Sequence, residues 1–129
     1  MSLATSTIAT MLPVTDTDRA KEFYANTLGL PFEGTDPTGE LRFGLGGGAT
    51  LVLLPREAGS QSKSTAMSWK VANLEEEMAE LEGRGVVFED YDIPGLKTVN
   101  HIAEMEGMRA AWFLDPDGNV LCVHTVPSG

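Results

Sequence analysis

Residues Arg109–Val126 read RAAWFLDPDGNVLCVHTV. Two apolar and aromatic runs of strand length flank Asp115-Pro116-Asp117-Gly118-Asn119. The centre is turn chemistry: Pro116 fixes φ, Gly118 tolerates positive φ, and Asp and Asn side chains bond nearby backbone. The stretch therefore predicts a β-hairpin that closes the fold. Period-two alternation puts Val120, Cys122 and His124 on one face of its second strand, and Leu121, Val123 and Thr125 on the other.

Working outward, the preceding half of the chain carries the same grammar. Thr65–Val71 is a predicted strand. Asn73 caps a helix running to Glu82, with Leu74, Met78 and Leu81 on one face and Gly83 or Gly85 closing it. Val86–Glu89 is a predicted short strand, Asp90–Val99 a long connection, His101–Met105 a strand and Glu106-Gly107 a turn. Nearer the N-terminus, Ile8–Val14 is a predicted strand in which Pro13 breaks the ladder, so it is an edge strand or ends there. Asp16 caps a helix with Ala20, Phe23, Tyr24, Thr27 and Leu28 on one face, stopped by Gly29. Strands at Leu30–Glu33, Glu40–Leu45 and Ala49–Leu54 follow, with a turn at Asp36–Gly39. Gly46-Gly47-Gly48 reads as a hairpin turn, because it lacks the strand–G-x-G-x-x-G–helix order of a phosphate cradle. The polar stretch Arg56–Ser64 separates the two halves.

The order strand–helix–strand–strand–strand thus occurs twice. The helix ends repeat in detail: Leu28–Glu33 matches Arg84–Glu89 in its Gly, Phe and Glu, and Val14-Thr15-Asp16 matches Val71-Ala72-Asn73 in its Val and cap. We read an α+β fold of two tandem βαβββ modules, residues 5–56 and 64–127 of one domain spanning 5–127. They are expected to form a curved mixed sheet around a trough, with the helices on the outer face. The trough is the expected ligand site.

Composition narrows the partners. The 129-residue chain has a formal charge of -10, with 42% hydrophobic residues. That charge argues against nucleic acid and against an anionic membrane surface. No apolar run approaches membrane-span length, and nothing reads as an export signal. One cysteine excludes an internal disulfide and fits a cytoplasmic protein.

The runs V-x-D-x-D-R-A-x-x-F-Y-x-x-x-L-G-L (Val14–Leu30) and A-W-F-x-D-P-D-G-N (Ala111–Asn119) resemble the two halves of a vicinal oxygen chelate domain. That superfamily includes glyoxalase I, extradiol dioxygenases, and bleomycin- and fosfomycin-resistance proteins. The resemblance implies a homodimer. In the family's enzymes it also implies one divalent metal, held in glyoxalase I by His or Gln and Glu from four strands. Carried over, these positions fall on Ala9, within Leu51–Leu53, on Ala66 and on Cys122. Three cannot coordinate, and the fourth is a lone thiol, so we expect no metal and no cofactor.

Trough or rim positions are Ala9, Met11, Ala66, Ser68, Trp112, Cys122, His124, His101 and Tyr91. Cys122 and His124 could reach one ion, but two ligands close no site. In an apolar strand the Cys122 thiol should be inert, and buried structural cysteine is its simpler role. His101 reads as a rim residue or a ligand from another segment. Trp69 should pack toward the helices. Trp112 either packs in the core or, lining the trough, stacks on an aromatic ligand. The expected function is metal-independent binding of a small aromatic or cationic molecule. The alternatives are a lyase, isomerase or dioxygenase with a noncanonical metal site, or a protein whose trough its own side chains fill.

Overall fold

The computed structural model describes residues 3–127. The chain divides into two compact units, with the boundary between Gln61 and Ser62. Each unit carries one helix and one four-stranded, open, curved mixed sheet.

In the first unit, β1 (Ala9–Val14) leads to α1 (Thr17–Glu22), then β2 (Phe32–Thr35), β3 (Leu41–Gly44) and β4 (Thr50–Pro55). The sheet order is β1-β4-β3-β2, with β1 parallel to β4 and the other neighbours antiparallel. Pro13 sits on β1, an outer strand of this sheet, where a missing ladder donor is tolerated. Leu12, Val14, Leu41, Phe43, Leu51 and Leu53 are buried together with Ala20 and Tyr24. The Tyr24 and Phe43 rings lie 6.0 Å apart. The helix departs from its expected regularity. It stays α-helical only to Glu22, and Phe23–Thr27 forms a π-helical turn closed by Leu28 N–H donating to Phe23 C=O at 2.9 Å. The wider turn still buries Tyr24 before Gly29 ends the element at φ 74°.

In the second unit, β5 (Thr65–Lys70) leads to α2 (Leu74–Gly83). A small hairpin of β6 (Asp92–Ile93) and β7 (Leu96–Lys97) follows, then β8 (Ala103–Met105), β9 (Met108–Leu114) and β10 (Val120–Thr125). The order β5-β10-β9-β8, with β5 parallel to β10, repeats the first sheet. Both helices are capped alike. Asp16 accepts from Arg19 N–H at 3.1 Å, and Asn73 accepts from Glu76 N–H at 3.0 Å.

Three local expectations are corrected. Val86–Glu89 is not a strand. It makes a single bridge, Phe88 to Phe113, because the chain turns away toward the β6–β7 hairpin after one rung. Asp90–Val99 is not a plain loop, since Pro94-Gly95 closes that hairpin. His101 lies before β8, not in it. It adopts φ 72°, a left-handed conformation incompatible with a strand, beside Asn100 at φ 53°.

The β9–β10 hairpin is held by its own turn. The Asp115 carboxylate accepts from Asp117 N–H at 2.9 Å, Asn119 N–H at 2.8 Å and Asn119 Nδ2 at 2.8 Å. Both residues are buried, Asp115 4% and Asn119 2% exposed, and each satisfies the other.

Candidate functional site

The register of the second sheet decides which side chains can act together. Cys122 pairs with Ser68 and with Trp112, and His124 is two residues further along β10. These four therefore project from one face of the sheet. The opposite face carries Leu121, Val123, Trp69 and Phe113, with Trp69 and Phe113 rings stacked 6.5 Å apart. So Trp69 is a packing residue. Trp112 is half-buried on the other face and does not join that core.

A polar pair and an aromatic pair stand on the open face. Ser68 Oγ is 2.5 Å from His124 Nδ1. Trp112 Nε1 donates to Thr65 Oγ1 at 3.1 Å, which fixes the indole's rotation. Tyr91 approaches Trp112 edge to face, with centroids 5.7 Å apart. Burial pushes the Tyr91 phenol up, and the charge of Glu89 acts in the same direction. Cys122, on the same face, is buried. Burial raises its thiol, against smaller opposing effects from the Ser68 hydroxyl and the Ala111 backbone. A neutral buried thiol is a floor for a ligand, not a nucleophile.

Thr65 was not identifiable from alternation. Strict period two places it with Trp69, on the packed face. A β-bulge shifts the β5–β10 register between Val120 and Leu121, and Ala66 is the extra residue. Thr65 thereby returns to the face of Trp112. Ala66 itself offers no donor atom.

Within the second unit, His101 does not join this group. Ala9 and Met11 are exposed on β1 of the first sheet. His101 lies 3.0 Å from the Asp90 carboxylate and lines a separate cleft of about 650 Å³, with Glu75, Met78, Glu82, Glu104 and Arg109. That cleft is on the α2 side of the second unit. There Arg109 grips Glu75 through both guanidinium nitrogens, Nη1 to Oε1 at 3.0 Å and Nη2 to Oε2. The pair holds the Glu75 carboxyl down at about 2.

The donor chemistry does not fit the metal that the resemblance implies. Ala9 and Ala66 have no ligating atom, Leu51–Leu53 are aliphatic, and Cys122 is a thiol raised by burial. Among the described residues, no three His, Cys, Asp or Glu side chains gather where they could hold an ion. No described helix is long and apolar enough to cross a membrane.

Comparisons with known proteins agree on the fold. No curated protein matches the chain. An antibiotic-binding protein from Streptomyces sp. CB03234 is 26% identical, over 99% of this chain and 100% of that one, with a TM-score of 0.74. A glyoxalase/bleomycin resistance protein from the same strain is also 26% identical, over 92% of this chain and 98% of that one, at a TM-score of 0.66. A lactoylglutathione lyase from Agrobacterium tumefaciens shares the fold at 18% identity, over 94% and 93% of the two chains, with a TM-score of 0.70. The model of one family matches residues 7–123, nearly the whole of both βαβββ units, and the chain belongs to that family, the Glyoxalase/Bleomycin resistance protein/Dioxygenase superfamily.

Proposed function

We propose that the protein binds a small aromatic or cationic molecule without a metal ion, using the open face of the second sheet. The observation that carries this reading is the Trp112 ring, fixed by Thr65, edged by Tyr91 and paired across the strands with Cys122. A rigid, half-buried indole with an apolar floor is a stacking platform. The Ser68–His124 pair supplies hydrogen-bonding groups further along the same face. The formal charge of -10 favours a cationic ligand through long-range attraction. The antibiotic-binding relative supports small-molecule capture as the activity of this chain too.

In this reading Ser68 is a rim position, Ala66 lends shape only, and His101 lies outside the site. Residues 5–127 act as one binding domain, in modules 5–56 and 64–127. The protein works in the cytoplasm as a homodimer, two-fold pairing being the commonest assembly. The competing reading is a metal-dependent lyase, isomerase or dioxygenase. It would need ligands drawn from Cys122, His124, His101 or a glutamate, and His101 lines the other cleft.

Calorimetric titration of chelator-treated protein with Ni²⁺, Zn²⁺, Mn²⁺ and, without air, Fe²⁺ tests the metal-free claim. We expect no heat of binding, and one tight equivalent of any metal would overturn it. The ligand class is tested with 9-aminoacridine, a flat aromatic cation, and uncharged acridone as its control. Saturable one-to-one quenching of tryptophan emission by the cation is expected. No saturable binding of either probe defeats the aromatic-platform reading.

A further inference from the structure

We infer that Asp90 is a positioning residue, which by bridging Thr98 and His101 holds Tyr91 edge-on against Trp112. The inference rests on the proposed role of Tyr91 and Trp112 as walls of the binding face. It concerns what fixes that wall.

Tyr91 begins a segment that a single ring contact cannot order. It stands between the lone Phe88–Phe113 bridge and the two-residue strands of the β6–β7 hairpin. One edge-to-face contact does not offset the conformational entropy of a dozen loop residues. The additional restraint is a chain of polar contacts through one carboxylate. Tyr91 N–H donates to Thr98 Oγ1 at 2.9 Å, and Thr98 N–H donates back to Tyr91 C=O at 2.8 Å. The Thr98 hydroxyl in turn donates to Asp90 Oδ1 at 3.1 Å. The other oxygen, Asp90 Oδ2, lies 3.0 Å from His101 Nδ1, a close approach without hydrogen-bond geometry.

His101 is itself held by a tight turn. Val99 and Ile102 exchange both backbone hydrogen bonds, at 2.8 and 3.1 Å, and force Asn100 and His101 into left-handed φ. Asp90 therefore brings together three points of the segment: its start at Tyr91 through the chain, its return at Thr98 through a hydrogen bond and the turn at His101 through close approach. Removing the carboxylate leaves the Tyr91–Thr98 backbone pair without its anchor to the turn. The ring then loses its fixed height over the indole. Because His101 also lines the α2-side cleft, this segment presents one wall to each side of the second unit.

The test does not need a ligand. In a Trp69→Phe parent, Trp112 is the sole tryptophan, and acrylamide quenching reads how far Tyr91 covers it. Tyr91→Ala should raise the quenching constant. Asp90→Ala and Thr98→Val should raise it to the same value, with circular dichroism unchanged. Thr98→Val keeps the side chain's shape, so it reports the hydroxyl contacts even if Asp90→Ala folds poorly. Unchanged quenching in Asp90→Ala and Thr98→Val overturns the inference, as does a Tyr91→Ala variant no different from the parent. A second arm measures 9-aminoacridine affinity, which should fall by a common factor in all three variants. If the parent binds no acridine, the ligand reading fails on its own, and the quenching constants alone decide the role of Asp90.

Discussion

The two modules share a plan and differ in what they place on their open faces. In the first, β1 offers Ala9 and Met11, the latter 48% exposed, and Val52 beside Met11 on β4 is aliphatic. Arg42, on the neighbouring strand, is tied to Asp36 at the β2–β3 turn. In the second, the corresponding strands carry Ser68, Cys122, His124 and Trp112, linked by hydrogen bonds and a ring contact. The scaffold residues behave in the opposite way. The caps Asp16 and Asn73 and the terminators Gly29 and Gly85 do the same job in both halves. Duplication has kept the elements and let the exposed alternate positions diverge, because only the buried alternation is needed to fold.

The sharpest break of that comparison uses two turns with the same Asp-Pro-x-Gly chemistry. Asp36 accepts from Thr38 Oγ1 at 2.7 Å and from the Thr38 and Glu40 amides, at an exposed turn. The Thr38 hydroxyl is the main reason its carboxyl titrates low. Asp115 makes equivalent bonds while buried, and its loss removes a buried bond from the Asn119 amide. Asp115→Ala should therefore cost about 3 kcal/mol, a fall in melting temperature of roughly 10 °C, by removing buried hydrogen bonds that water does not replace. Asp36→Ala, where water replaces the lost partners, should barely move the transition. Equal shifts in thermal unfolding would show that turn chemistry, not burial, sets the cost.

Why these turns were legible and parts of the site were not follows from the range of the forces involved. Caps, terminators and the Asp115–Asn119 turn act within about five residues, so their residue types reveal them directly. The faces of Ser68, Cys122 and His124 followed from period two, whereas Trp112, left between core and trough by the sequence, is placed beside them by the hairpin register. Thr65 was hidden by a bulge that no local signal marks. The π-helical turn at Phe23–Thr27 was hidden too, since Phe23 and Tyr24 fit an α-helical stripe equally well. His101 was placed on a strand because Asn100-His101 carries no glycine to betray positive φ. The Asp90 bridge joins Thr98 and His101 across a hairpin whose two-residue strands fall below any periodicity.

Binding should follow the same division between modules. Trp112→Ala removes the platform, and loss of aromatic stacking of about 1.4 kcal/mol lowers 9-aminoacridine affinity about tenfold. Met11→Ala, on the exposed face of β1, should leave it unchanged. Fluorescence titration of the two variants compares them directly, with Trp69 as the reporter in Trp112→Ala. Equal losses would mean that the first module contributes as much as the second.

The smallest effect expected distinguishes the two sides of the second unit. Arg109 holds the Glu75 carboxyl at about 2, below its ordinary value of 4.5. A carboxylate depressed in the folded state stabilises above its unfolded pKa, and the contribution disappears as pH falls through the folded one. The ion pair should thus add stability at neutral pH and lose it between about pH 4.5 and pH 2. The pair is partly exposed, 32% for Arg109 and 61% for Glu75, so solvent and salt weaken it. Glu75→Gln should melt slightly below the parent at pH 7 in low salt, with the gap closing toward pH 2 and in high salt. Acridine affinity should not change, because Glu75 lies on the α2 side, away from Trp112. A gap that persists undiminished at pH 2 would assign the effect to packing of the Glu75 stem instead of its charge. A change in acridine affinity would show that the α2-side cleft and the open face are energetically joined.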